Sequence, residues 1–283
     1  MKHWLEEIQA LQKRLIRHNI PAYSAQMAYF FFLSLFPFLI VLFTVLTLFE
    51  VDLNWLRFQI GTILLPDIAH MLSAYVENVV LTQDVSLLSF SILLTLWSAS
   101  RALSALVHAL NQSYEVVEDR GWLQRRLMGM VHTILLSVAI AVALILPSIG
   151  RNVLEFLQDY LPISDGFIDW FTTLRWVIGV LLPLFVLSMI YMFLPNRRLG
   201  FKDVIWGTIF AFFGWLALSV GFSYFVSNFG RFSIVYGSLA TVIILMIWLY
   251  MSGMVIMLGG EINSLIYEYK TQGFQKDRGQ EEE

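Results

Sequence analysis

The chain has 283 residues, of which 58% are hydrophobic and 14% are charged, with a net charge of −3 and no cysteine. Soluble globular proteins carry about 25% charged residues, so this chain has too few charges to cover a surface that faces water, and it is expected in a lipid bilayer. The lack of cysteine excludes disulfides, thiolate metal sites and a cysteine nucleophile. A nucleic-acid partner would require a clustered basic face, and the sequence gives no indication of one.

Residues 1–21 predict a short amphipathic helix that lies on the inner surface of the membrane. Trp4, Ile8, Leu11 and Leu15 recur every three or four residues and share one face of a helix, which is typical of an interfacial segment. The same stretch has no short apolar run that ends in small residues, so no cleavable signal peptide is expected.

Six later stretches are apolar over the roughly 20 residues that a helix needs to cross the hydrocarbon core. They lie at about 24–49, 85–111, 127–149, 171–194, 204–226 and 236–266. The prediction is an all-α polytopic membrane protein, a six-transmembrane-helix bundle over residues 22–269 with short amphipathic helices on its outer side and at the N-terminus. Residues 270–283 are charged and are predicted to form a disordered cytoplasmic tail.

The basic residues outside these stretches predict the orientation of the chain. In chain order, the seven terminal and connecting segments carry 4, 1, 3, 1, 3, 1 and 3 Lys or Arg residues. Because basic residues stay on the cytoplasmic side, this alternation predicts an even number of spans, with both termini in the cytoplasm.

The segment between residues 50 and 84 is the longest connection and is predicted on the outer side. Apolar residues at spacings of three and four indicate two short amphipathic helices, separated by Pro66. These helices form either a cap packed on the outer ends of the spans or a lid over a cavity.

Arg101 lies in the middle of the second stretch and is the clearest functional candidate, since charges inside a span are costly and rare. At 100° per residue, Ser104, His108, Asn111 and Gln112 fall with it inside an arc of about 100°. Lipid cannot satisfy such a polar stripe, so it must face the bundle interior or a wet cavity. The stripe is either the lining of a path for an anionic or polar substrate, or a buried network that holds helices together.

Glu261 and Pro37 are further candidates inside the spans. Glu261 follows Gly259 and Gly260, which let another backbone approach closely. Its carboxylate could pair with Arg101 or with a loop arginine, or accept a proton. Pro37 removes a backbone donor and is expected to kink the first span. Such breaks line some transporter sites, although ordinary membrane helices also tolerate proline.

Small residues recur at spacings of three and four in the fifth span. They are Gly207, Ala211, Gly214, Ala217 and Gly221. This pattern predicts a face that packs closely against another helix, and it is not a catalytic motif.

The sequence contains none of the catalytic motifs that could be expected in a chain of this size. It has no Gly-x-x-x-x-Gly-Lys-Ser/Thr loop and no Gly-x-Ser-x-Gly elbow, and its five histidines lack zinc-site spacing. The connecting segments are too short to house a separate enzyme domain. We therefore expect no enzyme activity, no metal and no cofactor.

Several motifs between residues 20 and 269 carry a family resemblance. They are Ala28-Tyr29 with Leu33-Ser34-Leu35-Phe36-Pro37, Leu65-Pro66, Trp97-Ser98 with Ala102-Leu103, Tyr236-Gly237-Ser238-Leu239-Ala240, Trp248-Leu249-Tyr250 and Leu258-Gly259-Gly260-Glu261-Ile262. In these residues the chain resembles the YihY/BrkB family of bacterial inner-membrane proteins. The resemblance implies a six-span plan and a place in the bacterial cell membrane. The family has carried two labels, a serum-resistance virulence factor and a tRNA-processing ribonuclease known as ribonuclease BN.

Two functions compete on these residues, and the family label adds a third. The first hypothesis is a transporter or flippase-like carrier of a polar or anionic solute or lipid, based on Arg101, Glu261 and Pro37. The second is a non-transporting scaffold that supports envelope integrity through partners. The remote third is a ribonuclease, a label interpreted as a misannotation because RNA hydrolysis needs a metal or a paired acid and base in a basic groove. The expected partners are the lipid bilayer and a polar or anionic small molecule or lipid, with no nucleic acid.

Overall fold

The computed structural model describes residues 12–48, 85–135, 137–138, 165–228 and 239–281, and each regular element in these ranges is an α-helix. In chain order the helices of this part are α1 (12–17), α2 (Ile20–Leu48), α3 (Val85–Ser113), α4 (122–135), α5 (Asp165–Phe193), α6 (Phe201–Asn228) and α7 (Leu239–Glu281). The predicted all-helical class is therefore confirmed for the described part of the chain.

Four of these helices are long and apolar enough to cross a membrane, and they coincide with the first, second, fifth and sixth predicted spans. Their apolar stretches are Ile20–Leu42, Ser89–Ser113, Phe201–Val226 and Val242–Thr271. Apolar runs of this length form helices in lipid because each backbone polar group must then be satisfied within the segment.

The other predicted elements are covered only in part. The fourth predicted span corresponds to α5, whose apolar portion is the shorter stretch Val177–Phe193. The third begins in α4 and continues beyond the described residues, so the count of six spans stays a prediction. The two amphipathic helices expected between residues 50 and 84, and residues 1–11 of the N-terminal helix, also lie outside the described ranges.

A sharp junction connects α1 to the first span. Asn19 has a φ of 52°, in the left-handed region, where asparagine is among the few residues that are readily tolerated. Its amide donates to the carbonyl of Ile16 at 3.1 Å, which closes α1. Pro21 then stands in the first turn of α2, where its missing N–H is no loss. The junction turns α1 back against the bundle.

The second span, α3, is the most buried of the four long apolar helices. It packs along α2, and α7 packs against α2, α3 and α6. Ala102, Ala105, Leu106, Ala109 and Leu110 of α3 are all at most 1% exposed. Small residues on this face let the neighbouring helices approach closely, which is how helices associate in lipid without a hydrophobic driving force.

The helices α6 and α7 meet through glycines. A Cβ atom added to Gly207 would lie 1.9 Å from the carbonyl oxygen of Gly259, and one added to Gly259 would lie 2.6 Å from the carbonyl oxygen of Gly207. The amide of Gly207 also donates to Asn263 Oδ1 at 2.6 Å. Of the small residues predicted to form a packing face, Gly207, Ala211 and Gly214 contact α7, whereas Ala217 and Gly221 are exposed.

The last helix continues to Glu281, through most of the segment that the sequence predicts to be a disordered tail. Lys, Glu, Gln and Arg are good helix formers. A helix that the membrane span has already nucleated extends through such residues at little cost.

Candidate functional site

A cavity of about 540 Å³ lies between the C-terminal half of α3 and the start of α4. From α3 it is lined by Arg101, Ser104 and His108, and from the other side by Arg125 and Arg126. The two helices touch at one edge of this cavity. A Cβ atom added to Gly129 of α4 would lie 3.3 Å from Ser100 of α3. The cavity occupies the space that the two helices leave between them on the other side of this contact.

The charge on this cavity is strongly positive. Among the described residues, Arg101, Arg125 and Arg126 make no ion pair, and the described lining contains no carboxylate. These three residues are called the arginine cluster below. A fourth lining residue, Arg120, is different because its Nε lies 2.8 Å from Glu118 Oε1.

The members of the arginine cluster affect each other. Arg126 directly precedes the third predicted span. Burial is the main cause that lowers the pKa of its guanidinium, and the positive charge of Arg101 lowers this pKa further. One amino group of Arg126 donates to the backbone carbonyl of Trp97 at 3.3 Å. The guanidinium of Arg101 lies 6.0 Å from the ring centroid of the same tryptophan, at the limit of a cation–π contact. An anion in the cavity would relieve the repulsion between these charges.

His108 borders a second cavity of about 560 Å³, which is also lined by His18 and Gln112. The His108 ring stacks on Tyr23 with a centroid distance of 6.2 Å. Its Nδ1 lies 2.6 Å from the carbonyl oxygen of Ser104 on the same helix. The polar stripe predicted on α3 therefore connects two open spaces at His108.

Asn111 also lines the second cavity, but its side chain makes structural hydrogen bonds. It is buried, its Nδ2 donates to Glu118 Oε2 at 2.7 Å, and its Oδ1 accepts from the amide of Asn196 at 2.7 Å. Burial alone would raise the pKa of Glu118, but hydrogen bonds from Arg120 and Asn111, with the charge of Arg120, outweigh it and lower that pKa. Asn111 thus ties the end of α3 to the segments that precede α4 and follow α5.

Glu261 lies in the centre of a separate buried cluster. It is fully buried, and its Oε1 lies 2.6 Å from His18 Nδ1 and accepts from Ser113 Oγ at 2.7 Å. Its Oε2 lies 3.5 Å from Arg14 Nε. A buried carboxylate needs such partners, because an unpaired charge in a low-dielectric interior is very costly.

Arg14 connects this cluster to the inner end of α7. Its two amino groups donate to Glu268 at 3.0 and 2.7 Å, and one also reaches the carbonyl of Ser113 at 3.3 Å. The hydrogen bond to Glu268 is the largest cause of a raised Arg14 pKa, against a smaller opposing effect of burial. Residues 12–19 are therefore fastened to α3 and α7 by charged groups.

The structure separates the predicted site residues into two groups. Arg101, Ser104 and His108 lie together at the first cavity, whereas Asn111 lines the second cavity and Glu261 is buried inside the bundle. Glu261 pairs with His18 and Arg14 and not with Arg101.

Two sets of residues at these sites were not recognised from the sequence. Arg125 and Arg126 counted only as loop charges, although they directly precede the third predicted span. His18 stands one helical turn after Arg14, and this spacing of four residues could have paired the two on one face.

Pro37 lies inside α2, which is helical on both sides of it, and Pro183 lies in the same way inside α5. Neither proline lines the two cavities described above. The kink expected at Pro37 stays a prediction. In the described ranges, no group of three or more His, Asp or Glu side chains is placed to hold a metal ion.

Comparisons with known proteins cover nearly the whole chain. A profile of the family described as virulence factor BrkB matches residues 11–283. A Bacillus subtilis protein, provisionally named ribonuclease-like protein YfkH, is 36% identical over 263 residues, which cover 93% of this chain and 96% of that protein. A UPF0761 membrane protein of Tolumonas auensis is 25% identical over 267 residues, which cover 91% of this chain and 84% of its own. Another, from Alteromonas mediterranea, is 25% identical over 263 residues, with 90% and 86% covered.

No solved structure matches the chain. The family profile includes α1, the arginine cluster and the Glu261 cluster within its limits. Its relatives are described as membrane proteins, which agrees with the four long apolar helices. The chain is a helical membrane protein, and it belongs to the BrkB family.

Proposed function

We propose that this protein is a transporter or flippase-like carrier that moves a polar or anionic solute or lipid across the bacterial cell membrane, with both termini in the cytoplasm. The observation that carries the proposal is the cavity beside Arg101, in which three arginines have no carboxylate partner among the described residues. A carrier needs a binding site within its membrane spans, and Arg101, which lines this cavity, is a residue of the candidate span Ser89–Ser113.

The depth of Arg101 supports this proposal. Arg101 is the middle residue of the apolar stretch Ser89–Ser113, so about 18 Å of helix separates it from either end. A charge at that depth is costly in hydrocarbon and faces water or a polar ligand instead. From there, Ser104 and His108 continue the polar lining toward the end of α3, as a path for a polar group requires.

A scaffold that supports envelope integrity is the second candidate, and one observation favours it. Asn111, Ser113 and Glu261 form their hydrogen bonds inside the bundle, as a purely structural polar network does. In that case Arg101→Ala should lower the thermal stability of the purified protein, because the residue would hold helices together. In a carrier, the same change should alter transport more than stability.

The deciding experiment uses the full chain reconstituted into liposomes with two probes, a fluorescent phosphatidylglycerol that dithionite bleaches and radiolabelled phosphate. The native protein should accelerate transbilayer movement of one of them over protein-free vesicles. Arg101→Ala should slow that movement about tenfold or more, since a hydrogen bond to a charged group contributes roughly 1.5–3 kcal/mol. Arg198→Ala, which removes an exposed arginine of the loop between α5 and α6, should leave it unchanged.

Movement of neither probe, with the native protein folded and inserted, would count against a carrier for anions. Equal rates for native protein and Arg101→Ala would show that the cavity is not the site. The name of the Bacillus subtilis relative also calls for a direct test of ribonuclease activity, which we do not expect. Metal-dependent cleavage of RNA by the purified chain would contradict that expectation.

A further inference from the structure

The face of α3 that carries Arg101 changes from apolar to polar along the length of the helix. Toward the start of the helix the same face presents Phe90, Leu93 and Trp97, which are 62%, 67% and 43% exposed. These residues and Arg101 follow each other at spacings of three and four, so they form one continuous stripe. In a membrane, exposed apolar side chains of a span contact lipid tails. The stripe therefore runs from a lipid-contacting surface directly into the cavity.

The neighbouring helix α4 also has exposed apolar residues. Leu127, Val131 and Leu135 of α4 are all at least half exposed and also repeat at spacings of four. At about 100° per residue these three residues lie on the opposite side of α4 from Gly129, so they face away from the contact with α3. Trp122, which is 72% exposed, stands at the start of α4 and lines the cavity.

The arginine cluster selects the chemistry of a ligand in this cavity. A guanidinium holds the oxygens of a phosphate with two parallel hydrogen bonds. Three guanidiniums without a carboxylate among the described lining residues favour a ligand with net negative charge. The volume of about 540 Å³ falls within the usual range for small-molecule sites, about 300–1,000 Å³.

We infer that the cavity binds the phosphate headgroup of an anionic phospholipid that enters sideways from the inner leaflet. The phosphate lies against the arginine cluster, and the acyl chains stay in the bilayer on the exposed apolar residues of α3. This inference rests on the proposed function and names its substrate as a lipid. A free phosphate ester has the same headgroup chemistry, but it has no acyl chain that could contact the apolar stripe.

The charge of the headgroup sets the expected selectivity. A lipid whose headgroup carries an ammonium group would place that positive charge beside the arginine cluster. Each arginine that faces an anionic lipid contributes roughly fivefold in affinity. A phosphate diester with no ammonium group is therefore preferred over a zwitterionic lipid with the same acyl chains.

The test measures binding to the purified full chain by native mass spectrometry. The probes are dioleoylphosphatidylglycerol, dioleoylphosphatidylcholine and glycerol 3-phosphate. The anionic lipid should bind about tenfold tighter or more than the other two, given the contribution of each arginine. The double variant Arg125→Ala with Arg126→Ala should lower its affinity about thirtyfold. Arg198→Ala, the matched control outside the cavity, should leave the affinity unchanged.

Three outcomes would overturn the inference. Equal binding of the two lipids would exclude recognition by charge. Binding of glycerol 3-phosphate as tight as that of the lipid would identify a site for soluble anions. Unchanged affinity in the double variant would place the lipid elsewhere.

A second measurement needs no variant and keeps the inference testable if the double variant does not fold. A phosphatidylglycerol with a photoreactive acyl chain should label α3 of the native protein, at peptides that contain Phe90 or Leu93. Labelling confined to other helices would refute the site. Binding without transbilayer movement would retain this inference and reject the carrier, whereas phosphate transport without lipid binding would do the reverse.

Discussion

The contact between Gly207 and Gly259 allows a sharp test of the packing, through the substitution Gly207→Ala. The added Cβ atom would stand 1.9 Å from the carbonyl oxygen of Gly259 and 2.5 Å from the side chain of Asn263. An ordinary contact begins near 3.4 Å, so α6 and α7 would have to separate by about 1.5 Å. That movement would also break the hydrogen bond from the Gly207 amide to Asn263.

The expected loss of stability follows from three contributions. Overpacking costs about 1–3 kcal/mol, and here the upper end applies because the contact is with rigid backbone. The lost hydrogen bond adds about 1 kcal/mol, and the better helix propensity of alanine returns up to about 1 kcal/mol. Gly207→Ala should therefore unfold with a free energy about 3 kcal/mol lower than that of the native protein.

Gly221→Ala is the matched control on the same helix. No atom lies within 4 Å of a Cβ added there, so the change should be neutral or slightly stabilising. Thermal unfolding in detergent, followed by tryptophan fluorescence, suits the comparison because Trp215 of α6 and Trp248 of α7 contact each other with centroids 6.0 Å apart. Identical unfolding of the two variants would refute the close packing of α6 on α7.

Two further predictions concern charged groups. Glu261→Ala should destabilise the protein by about 3–5 kcal/mol in thermal unfolding, because it leaves His18 beside an empty acceptor position in a buried cluster. Glu261→Gln should cost less, and native-like unfolding of both variants would contradict the role of this cluster. The lowered pKa of Glu118 predicts a stability contribution that is present above the ordinary carboxyl pKa of 4.5 and is lost as the pH falls through the lowered value. The stability gap between native protein and Glu118→Gln should thus close in acid, and a gap that widens would reverse the assigned sign.

Much of the architecture follows from the sequence because lipid as a solvent imposes strong rules. A span needs about 20 apolar residues in a helix, and the positions of α2, α3, α6 and α7 agree with the stretches that meet this requirement. The same rules identify Arg101 as exceptional, since a charge at the middle of a span must avoid the lipid tails. The glycine pattern of the fifth span likewise predicts the close packing seen at Gly207.

The partners of these residues follow only from the tertiary structure. Helical periodicity tells which residues share a face, but it does not tell which helix lies opposite that face. Glu261 therefore had several candidate partners, and the fold selects His18, 243 positions away in sequence. For the same reason, Arg125 and Arg126 counted as ordinary loop charges until the crossing of α3 and α4 at Gly129 placed them around the cavity of Arg101. The sequence by itself determined the solvent, the helices and the unusual charges, whereas the tertiary structure decided which charges meet, because contacts between distant segments depend on how whole helices pack.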